Sequence, residues 1–88
     1  MRVLFKDVGN PVRSMVIPNE LGVMQQLVDG YIEIITLLDD LVIICNEEGR
    51  INGMKKNFRI DALNDFVFGP ALFVGADGEE FCSIQEEH

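Results

Sequence analysis

The chain has 88 residues, of which 48% are hydrophobic and 25% charged, and its formal net charge is −8. This length excludes a second domain of ordinary size, and the composition is too apolar for a disordered tail. A domain this small buries only about 60–65% of the surface that its unfolded chain exposes, so a homodimer or higher oligomer would be a natural source of added stability. We therefore expect one packed domain over residues 1–88.

Neither membrane insertion nor secretion is indicated. No apolar run approaches the length of about 18 residues that a membrane helix needs, and Arg2, Lys6 and Asp7 interrupt the segment where a secretion signal would have its apolar core. Cys45 and Cys82 lie far apart in apolar segments, so we predict two reduced, partly buried thiols, with a disulfide between them as the alternative. These features predict a cytoplasmic protein.

The first third of the chain predicts a β-hairpin followed by a helix. Residues 2–6 and 12–17 are β-type runs separated by a Gly-Asn-Pro turn signal. Apolar residues then recur at helical spacing over 20–29. This segment begins after Asn19, a residue suited to an N-cap, and ends before Gly30, which suits a left-handed terminal residue. It is the main predicted helix.

Two apolar segments follow at residues 31–38 and 41–45. They are rich in β-branched side chains and do not alternate with polar residues, which is typical of strands covered on both faces. We therefore predict that both lie at the centre of the sheet. Residues 50–60 are polar and show no clear period, so the number and order of strands stay open because a short strand could lie there.

The last third predicts a helical turn at 61–65 and two strand segments at 66–68 and 71–74, with a bend or bulge at Gly69-Pro70. The six phenylalanines show no patch pattern and are assigned to the core. In total we predict an α+β fold with a small, mostly antiparallel sheet of about five to six strands packed on one main helix.

Charge is unevenly distributed along the chain. Residues 20–48 and 61–88 carry seven acidic residues each and no basic ones, whereas 49–60 carries four basic residues and no acidic ones. One interpretation of the basic segment is charge balance, with each cation paired to a nearby carboxylate. The other is an anion site, in which arginines and asparagines bind a phosphate-bearing small molecule.

For the anion site we predict a set of ligand-contacting residues around this segment. They are Asn46, Arg50, Asn52, Lys55, Asn57, Arg59 and, as a stacking platform for a base, Tyr31. Tyr31 has an alternative role in packing at a strand edge. Duplex DNA is a poor candidate ligand, because its binding needs a broad basic face and the net charge opposes it. The acidic excess either serves solubility or imitates nucleic-acid phosphates.

Groups for catalysis are scarce. His88 is the only histidine and the last residue, so Ser-His and Cys-His arrangements lack a credible base. The cysteines do not have the spacing of a zinc site, and no glycine pattern matches a phosphate-binding loop. We predict no catalytic residues, no metal and no cofactor, and hence a protein that is not an enzyme.

A family resemblance is carried by six segments, which are Leu27-Val-Asp-Gly-Tyr-Ile-Glu33, Cys45-Asn-Glu-Glu-Gly-Arg-Ile-Asn-Gly53, Asn57-Phe-Arg59, Asp65-Phe-Val-Phe-Gly69, Phe73-Val-Gly75 and Glu80-Phe-Cys-Ser83. In order and spacing, across nearly the whole chain, they resemble the DUF3846 family of uncharacterised proteins. Asp29 stands where the family usually has a second glycine, and Met54-Lys55-Lys56 replaces a stretch that commonly contains Leu-Pro. The lysine pair makes this segment more cationic than the family pattern.

Family members are typically encoded by phages, plasmids and integrated elements, so the resemblance implies an accessory role and no particular activity. Within that context we expect a counter-defence protein that sequesters an anionic, nucleotide-type ligand. The alternative is an inhibitor that binds a host defence or restriction protein through an acidic face, with DNA mimicry as one form of it.

Overall fold

The structure is a computed structural model that describes residues 1–85; His88 lies outside them. The described chain forms three layers: one helix, a six-stranded sheet and a two-stranded sheet. The six strands of the main sheet are β1 (Arg2–Lys6), β2 (Arg13–Val16), β3 (Ile32–Leu38), β4 (Leu41–Asn46), β7 (Ala71–Asp77) and β8 (Glu80–Cys82). The smaller sheet pairs β5 (Lys56–Ile60) with β6 (Asp65–Phe68), and the helix is α1 (Leu21–Val28).

All strand pairs are antiparallel, and the main sheet has the order β2-β1-β7-β4-β3. β8 pairs with the final residues of β7. The α+β fold, the first hairpin and the helix are therefore as predicted, and residues 50–60 do contain a strand, β5. A single 3₁₀ turn at Asp61–Leu63 corresponds to the predicted helical turn.

One core lies between the helix and the main sheet. Met24 and Val28 of α1 are buried against side chains from the sheet, including Val42, Ile44 and Leu72. A helix of eight residues buries only these two positions, so most of the apolar area removed from water on this side is contributed by the strands.

A second core lies on the opposite face, under the β5–β6 hairpin. Ile60 and Val67 of the hairpin pack against Ile43, Cys45 and Ala71 of the main sheet. Alternate residues of β4 therefore enter different cores, and five of its six residues are buried. This confirms the prediction that β4 is covered on both faces.

The corresponding prediction for β3 is wrong. β3 is an edge strand with a single neighbour, β4, and Ile34 and Leu38 are about half exposed, at 50% and 52%. The short helix and the short hairpin cover the middle of the sheet and reach β3 only in part, with Ile32 packed against one core and Ile35 and Leu37 against the other. An apolar sequence cannot reveal this position, because it depends on how far the covering elements extend.

The residues at the helix ends also differ from the prediction. Glu20 occupies the N-cap position without a side-chain hydrogen bond, and Asn19 instead donates from Nδ2 to the Phe81 carbonyl at 3.0 Å. The left-handed residue after the helix is Asp29, with φ of 63°, rather than Gly30. Gly30 permits a close approach, since a Cβ there would stand 2.6 Å from the Asn46 amide nitrogen.

The β5–β6 hairpin lies within the connection between β4 and β7. Those two strands are adjacent, and their register pairs Cys45 with Ala71. The chain therefore leaves the main sheet at the end of β4, forms the hairpin over one face and returns beside its point of departure. Both cysteines are free thiols, Cys45 buried and Cys82 partly buried.

Candidate binding surface

Two of the predicted ligand residues, Asn46 and Asn57, have structural roles. Asn46 is 7% exposed, and its Nδ2 donates to the carbonyls of Val28 and Asp29 at 3.1 and 3.0 Å. Its Oδ1 accepts the Glu48 N–H at 2.8 Å, so its amide joins the end of the helix to the turn after β4. These bonds occupy the side chain and leave it no free group for a ligand.

Asn57 fastens the hairpin to the main sheet. Its Nδ2 donates to the carbonyls of Lys6 and Gly69 at 2.8 and 2.9 Å. The amide oxygen is buried and accepts no hydrogen bond in the described part of the chain. Asn57 lies where the β5–β6 register shifts, so it holds an irregular point of the hairpin in place.

Arg50 lies in the turn between β4 and β5. Its guanidinium stacks over the Phe68 ring, with the Cζ atom 4.7 Å from the ring centroid, and forms an ion pair with Asp65. Both side chains of the pair are more than half exposed, so the ion pair orients Arg50 without removing it from solvent. The Phe66 N–H, and secondarily Arg50, lower the pKa of the Asp65 carboxyl.

Lys56 makes a similar contact with Phe66, two residues before Phe68 on β6. Its Nζ lies 4.4 Å from the centroid of Phe66, within the range of a cation–π interaction, and Phe66 remains 40% exposed. Neither Lys56 nor Lys55 forms an ion pair with a carboxylate in residues 1–85. Lys56 is therefore a cation available to an external anion.

Arg59 lies directly across from Phe66 in the hairpin register. Its guanidinium bonds to the Asn64 side-chain oxygen and lies 3.5 Å, from Nε to Oδ1, from Asp61. Two of the four cations of the basic segment, Arg50 and Arg59, are thus paired with carboxylates, as the charge-balance interpretation predicts. Within residues 1–85 the two lysines are not paired with a carboxylate.

The hairpin register explains why these side chains share one face. Val67 is buried against the main sheet, so the flanking Phe66 and Phe68 point to the outer face. In a regular strand Lys56 and Arg59, three positions apart, would point to opposite faces. The register shift between Lys56 and Phe58 brings both to the outer face, as a β-bulge does.

We call this outer surface the cation–aromatic face, and it consists of Arg50, Lys56, Arg59, Phe66 and Phe68. The assignment of all six phenylalanines to the core is therefore wrong for Phe66 and Phe68, which belong to neither core cluster. The alternation in the sequence Asp65-Phe-Val-Phe could have indicated two outward rings, but only if Val67 had been known to point inward.

The remaining predicted residues lie outside this face. Asn52 is an exposed turn residue, and its backbone N–H donates to the Glu48 carbonyl at 2.8 Å. Tyr31 is 70% exposed and its carbonyl accepts the Glu47 N–H. No ring contact or side-chain hydrogen bond joins Tyr31 to the basic segment within residues 1–85. Lys55 is exposed beside Lys56.

A cavity of about 280 Å³ lies next to the cation–aromatic face. Arg50, Phe66 and Phe68 line it, together with the carboxylates Glu33 and Glu47 among others. The cavity itself is therefore rich in acidic groups, and an anion is better accommodated on the outer side of the hairpin, near Lys56. Within residues 1–85, no three Cys, His, Asp or Glu side chains are grouped closely enough to hold a metal ion.

Cys45 is a buried thiol beside a carboxylate. Its Sγ lies 3.9 Å from Glu33 Oε1. Burial, followed by the negative charge and hydrogen bond of Glu33, raises the pKa of the Cys45 thiol from 9.0 to about 11. The thiol therefore remains protonated at neutral pH and is a poor nucleophile.

A family comparison agrees with the resemblance found in the sequence. The model of DUF3846, a domain of unknown function, matches residues 1–88. The chain belongs to the DUF3846 family. No curated protein and no solved structure matches it. None of the helices in residues 1–85 is long and apolar enough to cross a membrane. DUF3846 membership assigns no activity, so function has to be argued from the surface itself.

Proposed function

We propose that this protein binds a nucleotide-type ligand on the cation–aromatic face. The observation that carries the proposal is the position of Lys56, whose ammonium lies over the half-exposed Phe66 ring without a described carboxylate partner. A phosphate needs an available cation, and a base gains binding energy by stacking on an aromatic ring. These two groups are adjacent here, as a ligand with both parts requires.

The two arginines would orient the ligand through directional hydrogen bonds. Arg50 and Arg59 are held by Asp65 and by Asn64 with Asp61, so their guanidinium groups need little ordering when a ligand binds. The paired carboxylates reduce the local positive charge, which favours a small ligand over an extended polyanion. Duplex DNA remains disfavoured, because the hairpin face is narrow and the net charge is −8.

A binder without turnover suits the family context of mobile elements, in which sequestration of a nucleotide signal would serve counter-defence. In that role the protein would lower the free concentration of the nucleotide, to an extent set by its affinity and its abundance. The face offers cations and rings, and a binding role requires no general base or nucleophile.

The test uses ATP, tripolyphosphate and adenosine as probes in isothermal titration calorimetry. We expect ATP to bind more tightly than either partial probe. Phe66→Leu should weaken ATP binding about 5- to 150-fold, the equivalent of about 1–3 kcal/mol of stacking. The affinity for tripolyphosphate should remain nearly unchanged. Lys56→Gln should weaken ATP and tripolyphosphate together.

The matched control is Arg13→Gln, which removes the cation over Phe5, at 5.4 Å, on a different strand. It should leave all three affinities unchanged. Absence of ATP binding at millimolar concentration, or equal losses in Arg13→Gln and Lys56→Gln, would contradict the proposal. A second test is mass spectrometry of the small molecules released by heating protein purified from bacteria, in which a natural ligand should be present for the unchanged protein and missing for Phe66→Leu.

A further inference from the structure

The edge of the main sheet at β3 presents free backbone groups. The Tyr31 carbonyl accepts the Glu47 N–H at 2.8 Å, so Tyr31 points its backbone toward β4. Backbone direction alternates along a strand, and therefore Ile32, Ile34 and Thr36 point theirs away from β4. No described strand pairs with that side.

β3 has little of the protection that edge strands usually carry: the register shifts only after Thr36, and Glu33 is the one charged residue of the strand. Its sequence, Ile-Glu-Ile-Ile-Thr-Leu-Leu, contains no lysine and no proline, and its register is regular from Ile32 to Thr36. Ile34 and Leu38 are about half exposed beside the free edge. A mostly apolar edge that is regular from Ile32 to Thr36 is a template for another strand.

An apolar groove of about 430 Å³ runs alongside this edge. It lies between β3 and the β5–β6 hairpin, and the residues that line it include Glu33, Ile35, Ile60, Leu63, Asp65 and Phe66. Leu63 is 53% exposed and Phe66 40%. A strand added to β3 would direct every second side chain into this groove.

Charge limits which partner fits. Glu33 and Asp65 line the groove, and Glu47 lines the adjoining cavity. Among the lining residues within 1–85 there is one cation, Arg50, and it is paired with Asp65, so Glu33 and Glu47 remain without a cation in either lining. The local excess of carboxylates favours a basic partner. A second copy of this chain is disfavoured, because its β3 would bring no cation and a further net charge of −8.

We propose that β3 and the groove accept an extended segment of another protein, which pairs with the edge as an added strand. The segment carries apolar side chains at alternate positions for the groove and a lysine or arginine on the same face, beside Glu33. Backbone hydrogen bonds would supply affinity and the alternate side chains specificity, as in other cases of strand addition. The groove shares Phe66 with the cation–aromatic face, but the proposal does not rest on nucleotide binding, because the edge and Glu33 that carry it belong to β3.

The probe is the end-blocked peptide Thr-Val-Thr-Lys-Thr-Val-Thr, which reads the same in both directions. Its counterpart has glutamate in place of lysine. Titration against ¹⁵N-labelled protein should shift the amide signals of Ile32, Ile34 and Thr36. The lysine peptide should bind about tenfold or more tightly than the glutamate peptide, because the charge beside Glu33 is reversed.

Backbone pairing is tested with N-methylated versions of the lysine peptide. Methylation of the threonine nitrogens blocks one edge of the peptide strand, and methylation of the valine and lysine nitrogens blocks the other. One of these two methylated peptides should fail to bind, and the other should bind nearly as tightly as the unmethylated peptide. Equal effects of the two sets would rule out strand addition.

Glu33→Gln should remove most of the preference for the lysine peptide over the glutamate peptide, and Glu79→Gln, an equivalent change in the β7–β8 turn, should preserve it.

The last experiment measures the oligomeric state of the unliganded protein by sedimentation. A monomer supports the proposal, whereas a dimer that Thr36→Pro converts to a monomer would assign the edge to a second copy and overturn it. ATP binding should be unchanged in all of these variants, which would separate this surface from the cation–aromatic face.

Discussion

Asn46 and Arg50 are close in the sequence, and the pattern of polar residues assigns both to the same ligand. In the structure, the surroundings of the two side chains differ. Asn46 is buried with both amide atoms bonded, whereas Arg50 is exposed over an aromatic ring. An asparagine in a turn has the same sequence signature in either role, so the candidate site could be predicted only as a segment, and the choice of side chains within it depends on burial.

Asn46→Ala should therefore reduce stability rather than ligand affinity. The substitution leaves the carbonyls of Val28 and Asp29 and the Glu48 N–H without their partner, at a cost of about 1–3 kcal/mol. Urea denaturation followed by circular dichroism measures the loss. Asn52→Ala, which removes an exposed amide from the same turn, should change stability by less than about 0.5 kcal/mol. Equal effects of the two substitutions would contradict the structural role of Asn46.

At the scale of elements, local signals located most of the strands and the helix. Turn residues and hydrophobic spacing are local properties, and they placed β1, β2, α1 and β4 close to their observed bounds. The errors concern contacts between elements. β3 and β4 are both continuous apolar runs, yet only β4 is buried between α1 and the hairpin, whereas β3 contacts the two cores from the edge and is at most partly buried.

β5 shows the same limit in a different form. A regular strand of alternating residues can be recognised from its period, but the shift between Lys56 and Phe58 interrupts the period of a strand of only five residues. The same shift produces the cation–aromatic face. The feature that makes the candidate site was thus the one that concealed its strand in the sequence.

The hairpin should open more easily than the main sheet, because it is a two-stranded unit held mainly by Phe58, Ile60 and Val67. Val67→Ala should cost about 1–3 kcal/mol, and hydrogen exchange should show lost protection in β5 and β6 while β4 and β7 keep theirs. Val16→Ala, at a position that is 81% exposed, is the control. Uniform loss of protection would mean that the hairpin unfolds only together with the sheet.

At the scale of the whole molecule, the dominant property is the net charge of −8 on a particle of 31 × 28 × 24 Å. The electrostatic screening length is about 30 Å at 0.01 M salt and about 8 Å at 0.15 M. At low salt every carboxylate therefore repels the others across the full width of the protein. At physiological salt the repulsion is confined to neighbours.

Stability should consequently rise with salt. Between 0.01 and 0.15 M KCl we expect a gain of about 1 kcal/mol, or about 4–8 °C in Tm, measured by differential scanning calorimetry. Replacing both Glu79 and Glu80 by glutamine should reduce the gain, because the β7–β8 turn then contributes less repulsion. A Tm that falls with salt would show that ion pairs such as Arg50–Asp65 outweigh the repulsion.

The pairing of Cys45 with Ala71 has an evolutionary consequence. Because the chain departs from and returns to neighbouring positions, the outer face and the length of the segment between them can change without altering the strand order of the main sheet, provided that Asn46, Ile60 and Val67 keep their contacts. Selection on a ligand could then act on the hairpin while the six-stranded sheet and its helix stay the same. Relatives of this protein could share one scaffold and recognise different molecules. An engineered scaffold with a short turn in place of residues 49–69 would have to keep Asn46 and carry polar residues in place of Ile43 and Cys45, which the hairpin covers.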